Sequence, residues 1–170
     1  MLRRALVLAL LTAAATPAAA EDRWYAYEAE GAAARHRTGD LTVQVSRGFF
    51  GGATPTQLFR RRGADLPLRR AGVFREEAVR ALIGGDAPVY AVEGEAGRGF
   101  AQGACEAAEA WIALPTPERF RPLRLHVLGR DAAGGPRVCE VLEYRWRAEW
   151  DVPNRRRLPR EDPRAERRAF

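Results

Sequence analysis

Alternation of apolar and polar residues, the two-residue period of a half-buried strand, is clearest between positions 137 and 150. Val138, Leu142, Tyr144, Trp146, Ala148 and Trp150 fall on one face, and Glu143, Arg145, Arg147 and Glu149 on the other. Glu140 and Val141 are the two breaks in the pattern. Ahead of this run, Leu123, Leu125 and Val127 alternate with Arg124, His126 and Leu128, and residues 131–136 between the two runs carry loop chemistry. The pair predicts a β-hairpin in which Leu125 faces Leu142, Leu123 meets Tyr144 and Arg124 stands opposite Glu143.

Upstream, Leu41, Val43 and Val45 alternate with Thr42, Gln44 and Ser46, which predicts a further strand over 41–49. Residues 24–30 and 89–95 also read as strands, and 57–61 as the return strand of a hairpin turning at Gly51-Gly52. One helix stands out. Phe74, Ala78 and Leu82, with Val79 and Ile83, recur at four-residue steps; Glu76 and Glu77 suit the first turn, and Gly84-Gly85 ends the run. Residues 105–114 are ambiguous, alanine-rich like a helix but ending Trp111, Ile112 and Leu114 before Pro115 like a strand. The expected fold is β-rich α+β: an antiparallel sheet of hairpins packed on one principal helix, forming a single domain over 21–150.

The flanks read differently. Arg3 and Arg4 precede an apolar run that fades into Ala18-Ala19-Ala20 before Glu21, the order of a secretory signal peptide cleaved after Ala20. The run is shorter than the ~20 residues of a membrane span. No cysteine lies near the cleavage point, and the context of Arg3-Arg4 lacks the rest of a twin-arginine motif. A periplasmic or secreted location is therefore expected. From Asp151 onward, prolines and charges without apolar periodicity predict a disordered, arginine-rich tail, and the terminal Phe170 follows no amphipathic strand of an outer-membrane barrel.

A formal charge of +6 loses its force once divided along the chain. The leader carries two arginines and the tail seven against four acids, which leaves 19 arginines and 18 acids in residues 21–150. That balance excludes the dense cationic face a nucleic-acid partner requires. All 28 basic residues are arginine, a skew that points to codon usage. Cys105 and Cys139 are the only cysteines, and in an oxidising compartment they form one disulfide. Closing that loop stabilises the fold by ~2–4 kcal/mol.

Candidate chemistry is sparse. His36 and His126, the only histidines, supply too few ligands for zinc once the cysteines are bridged, and both read as surface residues. Ser46, the only serine, lacks the Gly-x-Ser-x-Gly elbow of a hydrolase. Glu28 with Glu30, and Glu93 with Glu95, would each project side by side from one strand face, as a glycan-cleaving carboxylate pair requires. Arg60, Arg61, Arg62, Arg69 and Arg70 form the densest basic stretch of the domain and are the candidate contacts for an anionic ligand or acidic partner. Arg47-Gly48-Phe49-Phe50-Gly51-Gly52 resembles the strand-end glycine turn of the small emfourin-type protease inhibitors over that short stretch, departing in its aromatics; no fold, activity or site residue is carried over from it.

These readings lead to a non-enzymatic binding or envelope-associated accessory protein without cofactor or metal. Its partner would be an envelope component or another protein, with weak tail contacts to anionic surfaces. The alternative is a small envelope hydrolase acting on peptidoglycan glycan through a carboxylate pair.

Overall fold

A computed structural model describes residues 21–48 and 52–151. The expected leader, residues 49–51 of the expected hairpin turn, and the expected tail from 152 onward lie outside the described residues. The strands are β1 (Glu21–Ala29), β2 (Leu41–Arg47), β3 (Ala53–Arg60), β4 (Leu66–Arg70), β5 (Val89–Val92), β6 (Trp111–Ala113), β7 (Leu123–Arg130) and β8 (Pro136–Asp151). Three helices interrupt them among the described residues: α1 (Ala32–Arg37), α2 (Glu76–Ile83) and α3 (Gly94–Cys105).

The expected sheet of hairpins is β-rich and antiparallel, but it does not stay open. Every strand pairs with the next, and β8 returns to β1, so the eight close into an up-and-down barrel with no free edge. Closure depends on the length of β8. Its first half pairs with β7 and its second with β1, and Tyr144 stands opposite both Leu123 and Ala29.

The predicted β7–β8 register is present residue for residue, Leu125 with Leu142, Leu123 with Tyr144 and Arg124 with Glu143. Away from that centre, two bulges reset which way β8 faces. One leaves Cys139 as the extra residue between Val127↔Glu140 and Leu128↔Val138. The other leaves Arg147 unpaired between Ala26↔Ala148 and Tyr27↔Trp146. Val138, Ala148 and Trp150 therefore do not share the inward face of Leu142 and Tyr144, whereas Glu149 turns inward opposite the buried Tyr25. A strict two-residue period cannot anticipate such phase shifts.

The interior is filled by Tyr27, Leu41, Val43, Leu58, Leu66, Tyr90, Ile112, Leu125, Leu142 and Tyr144, all fully buried. Each of the aliphatic ones contributes ~1.5–3 kcal/mol by leaving water. α1 and α3 close one end of the barrel, with Ala34, Phe100, Ala101 and Cys105 joining the interior cluster. The expected disulfide lies here: the Cys139 bulge meets Cys105 at the end of α3, with Cα atoms 5.1 Å apart. Gly129 makes room for it, since a Cβ there would sit 2.8 Å from the Cys139 sulfur.

A single principal helix was expected, and the additional two have a common explanation. α1 has only six residues, too few to show a helical period, and α3 has a buried side at Gly97, Phe100, Ala101 and Cys105 but carries four glycines in twelve, which weakens its propensity. Tertiary contact selects them instead. Gly97 is required because a Cβ at that position would meet the Val92 carbonyl oxygen at 2.5 Å. The strand read over 89–95 accordingly stops at Val92, and the ambiguous 105–114 resolves into the end of α3, a turn and β6. α2 is present and rests on the outer face of the barrel with Val79 buried among Val89, Trp111, Ala113 and Leu128 and with Phe74 and Ile83 beside it, but Ala78 and Leu82 of the expected stripe are exposed, so the buried face is narrower than the four-residue steps implied.

Candidate functional site

The five arginines singled out by the sequence do not converge. Arg60, at the end of β3, donates from Nε to the Ala64 carbonyl at 2.7 Å and lies over the Phe100 ring at 5.3 Å, tying the β3–β4 turn to α3. Arg61 reaches Asp40 at 3.6 Å, and the exposed Arg62 is held through its backbone N–H to the Thr38 carbonyl. These three sit at the helix-closed end. Arg69 pairs with Glu93. Arg70 ends β4 at the opposite end, the one where β1 starts and β8 finishes.

That terminal end has two distinct parts. Inside the barrel mouth, the Arg147 bulge delivers the Glu149 carboxylate, only 5 % exposed, to the Arg23 guanidinium at 2.9 Å, while Arg119 from the β6–β7 connection donates to its second oxygen. The hydrogen bond from Arg119 and that from Arg23 hold this carboxyl below its ordinary pKa, against the opposing effect of burial. It is therefore an anchored anion; a general acid needs the reverse shift. Beside it Phe120, 77 % exposed and with φ of 59°, packs on Trp146 with ring centroids 4.6 Å apart, so the same connection is fastened twice. Arg47 Nε is buried without a hydrogen-bond partner among the described residues.

Outside the barrel, a cleft of about 500 Å³ opens between α2 and the β4–β5 strands. Phe74, Val79 and Val89 give it an apolar wall, and Arg70, Glu76, Arg80 and Asp86 also line it. Arg80 and Asp86 are paired with each other. Arg70 and Glu76 form no ion pair or side-chain hydrogen bond among the described residues. Arg70 stands opposite Tyr90 in the register, and its charge offsets part of the rise in pKa that burial imposes on that phenol. The wall continues into an aromatic stack: Phe74 meets Trp111 edge-on at 5.1 Å, and the Arg130 guanidinium covers both rings, 4.9 Å from that of Trp111. Of the arginines predicted from the sequence, Arg70 alone lines this cleft. The amphipathic period of α2 foretold that it packs on the sheet, but no local pattern carries the tilt that leaves a space beside it.

The remaining candidates stand apart from both features. Glu28 is exposed and bonded to Arg145 at 2.7 Å, and Glu30 lies beyond the strand end. Glu93 and Glu95 were expected side by side on one strand face, but β5 ends at Val92 and Gly94 begins α3 between them, so they share none. Ser46 lies within β2 between Asp22 and Thr54. His36 is exposed on α1, whereas His126 is half-buried and its Nδ1 has no hydrogen-bond partner among the described residues, a correction to its reading as a surface side chain. Burial and then the nearby Arg124 lower its pKa. Among the described residues no three His, Cys, Asp or Glu side chains are grouped to hold a metal, and no helix is long and apolar enough to cross a membrane. Comparison of the chain with protein-family models, with curated proteins and with solved structures finds no match.

Proposed function

We propose that the protein is a periplasmic or secreted, non-enzymatic binding protein, an envelope-associated accessory whose ligand occupies the cleft beside α2. The leader ending at Ala20 and the Cys105–Cys139 disulfide support export. The observation that carries the binding role is the cleft itself: a concavity of about 500 Å³, within the range that holds small ligands, with an apolar wall and unpaired polar groups. The rest of the barrel acts as the rigid support such a site needs. The tail adds weak contacts to anionic envelope surfaces through its arginines.

Recovery of the mature protein from its native envelope tests this reading. The expected result is an N-terminus at Glu21, cysteines that resist alkylation without reductant, and a co-purifying molecule displaced by the Gly72→Trp variant, which adds an indole to a residue lining the cleft. Cytosolic protein with an intact leader and alkylatable thiols would overturn the export assignment. Removal of residues 152–170 should leave the melting temperature unchanged while abolishing the salt-sensitive part of envelope association.

A further inference from the structure

We infer that the cleft beside α2 recognises a short apolar peptide through both of its free termini, with the α-carboxylate on Arg70, the α-ammonium on Glu76 and the side chains against Phe74, Val79 and Val89. This inference rests on the binding role proposed above and names its ligand class. It follows from charge accounting at the rim. Four charged residues line the cleft, and Arg80 and Asp86 neutralise each other, which leaves one cation and one anion without a partner among the described residues. A simple anion would satisfy Arg70 and be repelled by Glu76; a simple cation would suffer the converse. A ligand bearing both signs can engage both groups at once.

The walls specify the rest of the molecule. Val79 and Val89 are almost fully buried and offer little surface, so the apolar part of the cleft between the two charges comes from the half-buried Phe74, braced by Trp111, and from Ala87 and Pro88. A guanidinium forks onto a carboxylate with two parallel hydrogen bonds, which suits a peptide C-terminus. The volume of about 500 Å³ exceeds that of one amino acid and accommodates two or three.

Leucine, dileucine and trileucine, each as the free zwitterion, are the probes, with N-acetyl-dileucine and dileucine amide as single-charge controls. Calorimetry and the fluorescence of Trp111, next to the cleft wall, are the readouts. Dileucine or trileucine should bind saturably and more tightly than leucine, and blocking either terminus should weaken binding about tenfold or more. Arg70→Gln should abolish the response to C-terminal amidation while keeping the response to N-acetylation, and Glu76→Gln should do the opposite. Both residues are exposed, so the variants should melt with the wild type. Gly72→Trp should remove binding altogether; its Cβ points into open space, and the backbone there tolerates a side chain. Free leucine binding as tightly as the peptides would assign the cleft to single amino acids and overturn the peptide length. Blocked peptides that bind as well as free ones, or no binding by any probe, would overturn the ligand class. Envelope material that still co-purifies and is displaced by Gly72→Trp would show in that case that the binding role itself survives; loss of both results would sink the two together.

Discussion

The two ends of the barrel are held by different chemistry. At the helix-closed end, beside exposed arginine contacts such as Arg61 with Asp40, stand contacts that are covalent, backbone-close or fully desolvated: the Cys105–Cys139 bridge, Gly97 against the Val92 carbonyl, and the buried Thr38 hydroxyl 2.6 Å from that of Tyr144. Arg37 adds a half-buried pair with Glu140 at 2.9 Å, linking α1 to β8. At the terminal end the contacts run through long side chains, with Glu149 shared between Arg23 and Arg119, Phe120 laid on Trp146, and a cleft left open beside α2. Contacts of the first kind have little freedom to rearrange, and those of the second can yield locally without loss of the barrel. Stability is concentrated at one end and an accessible surface at the other, an arrangement that separates the cost of changing the site from the cost of unfolding.

The contrast is broken most severely at the disulfide. Replacing Cys105 and Cys139 together by alanine should lower unfolding free energy by ~2–4 kcal/mol, read by denaturant titration. Next comes Gly97→Ala, which forces a methyl into the Val92 carbonyl and should cost ~1–3 kcal/mol, with hydrogen exchange accelerating first in α3. A loss spread evenly over both ends would contradict the division drawn here.

Acid should affect the terminal end instead. The Glu149 pKa lies below its ordinary 4.5 in the folded protein, so the unfolded chain binds the proton more readily. The stability it supplies is complete above that ordinary value and is lost as pH falls through the folded one. Glu149→Gln should remove this acid limb from a plot of melting temperature against pH and leave a lower plateau at neutrality. His126, with a pKa below its ordinary 6.5, produces a shallower decline of the same sign as pH falls below 6.5, and His126→Gln should flatten it. Smallest of all for stability, Arg70→Gln and Glu76→Gln should leave the melting temperature within experimental error, since exposed groups without partners contribute little to folding.

Much of the fold was legible in the sequence where the decisive interactions are local. The alternation around Leu125 and Leu142 carried the β7–β8 register, the four-residue steps of Val79 and Ile83 carried α2, and an even cysteine count carried the bridge. Each follows from neighbouring residues seeking one face or one partner. The site was less legible: Arg70 stood out only as one of five clustered arginines, and Glu76 only as a residue suited to a helix first turn.

Tertiary structure alone decided the rest. β1 and β8 stand at opposite ends of the domain and pair only when every intervening strand has added its twist, so closure has no local signature. The bulges at Cys139 and Arg147 arise where one strand must satisfy two neighbours, and they turn a sulfur toward α3 and a carboxylate into the mouth. α1, too short to be stable alone, and the glycine-rich α3, of weak propensity, are helical because the barrel end must be covered. The cleft exists because of where α2 comes to rest on the finished barrel. Periodicity records which side of an element avoids water; the distances between elements are settled only when all of them pack at once.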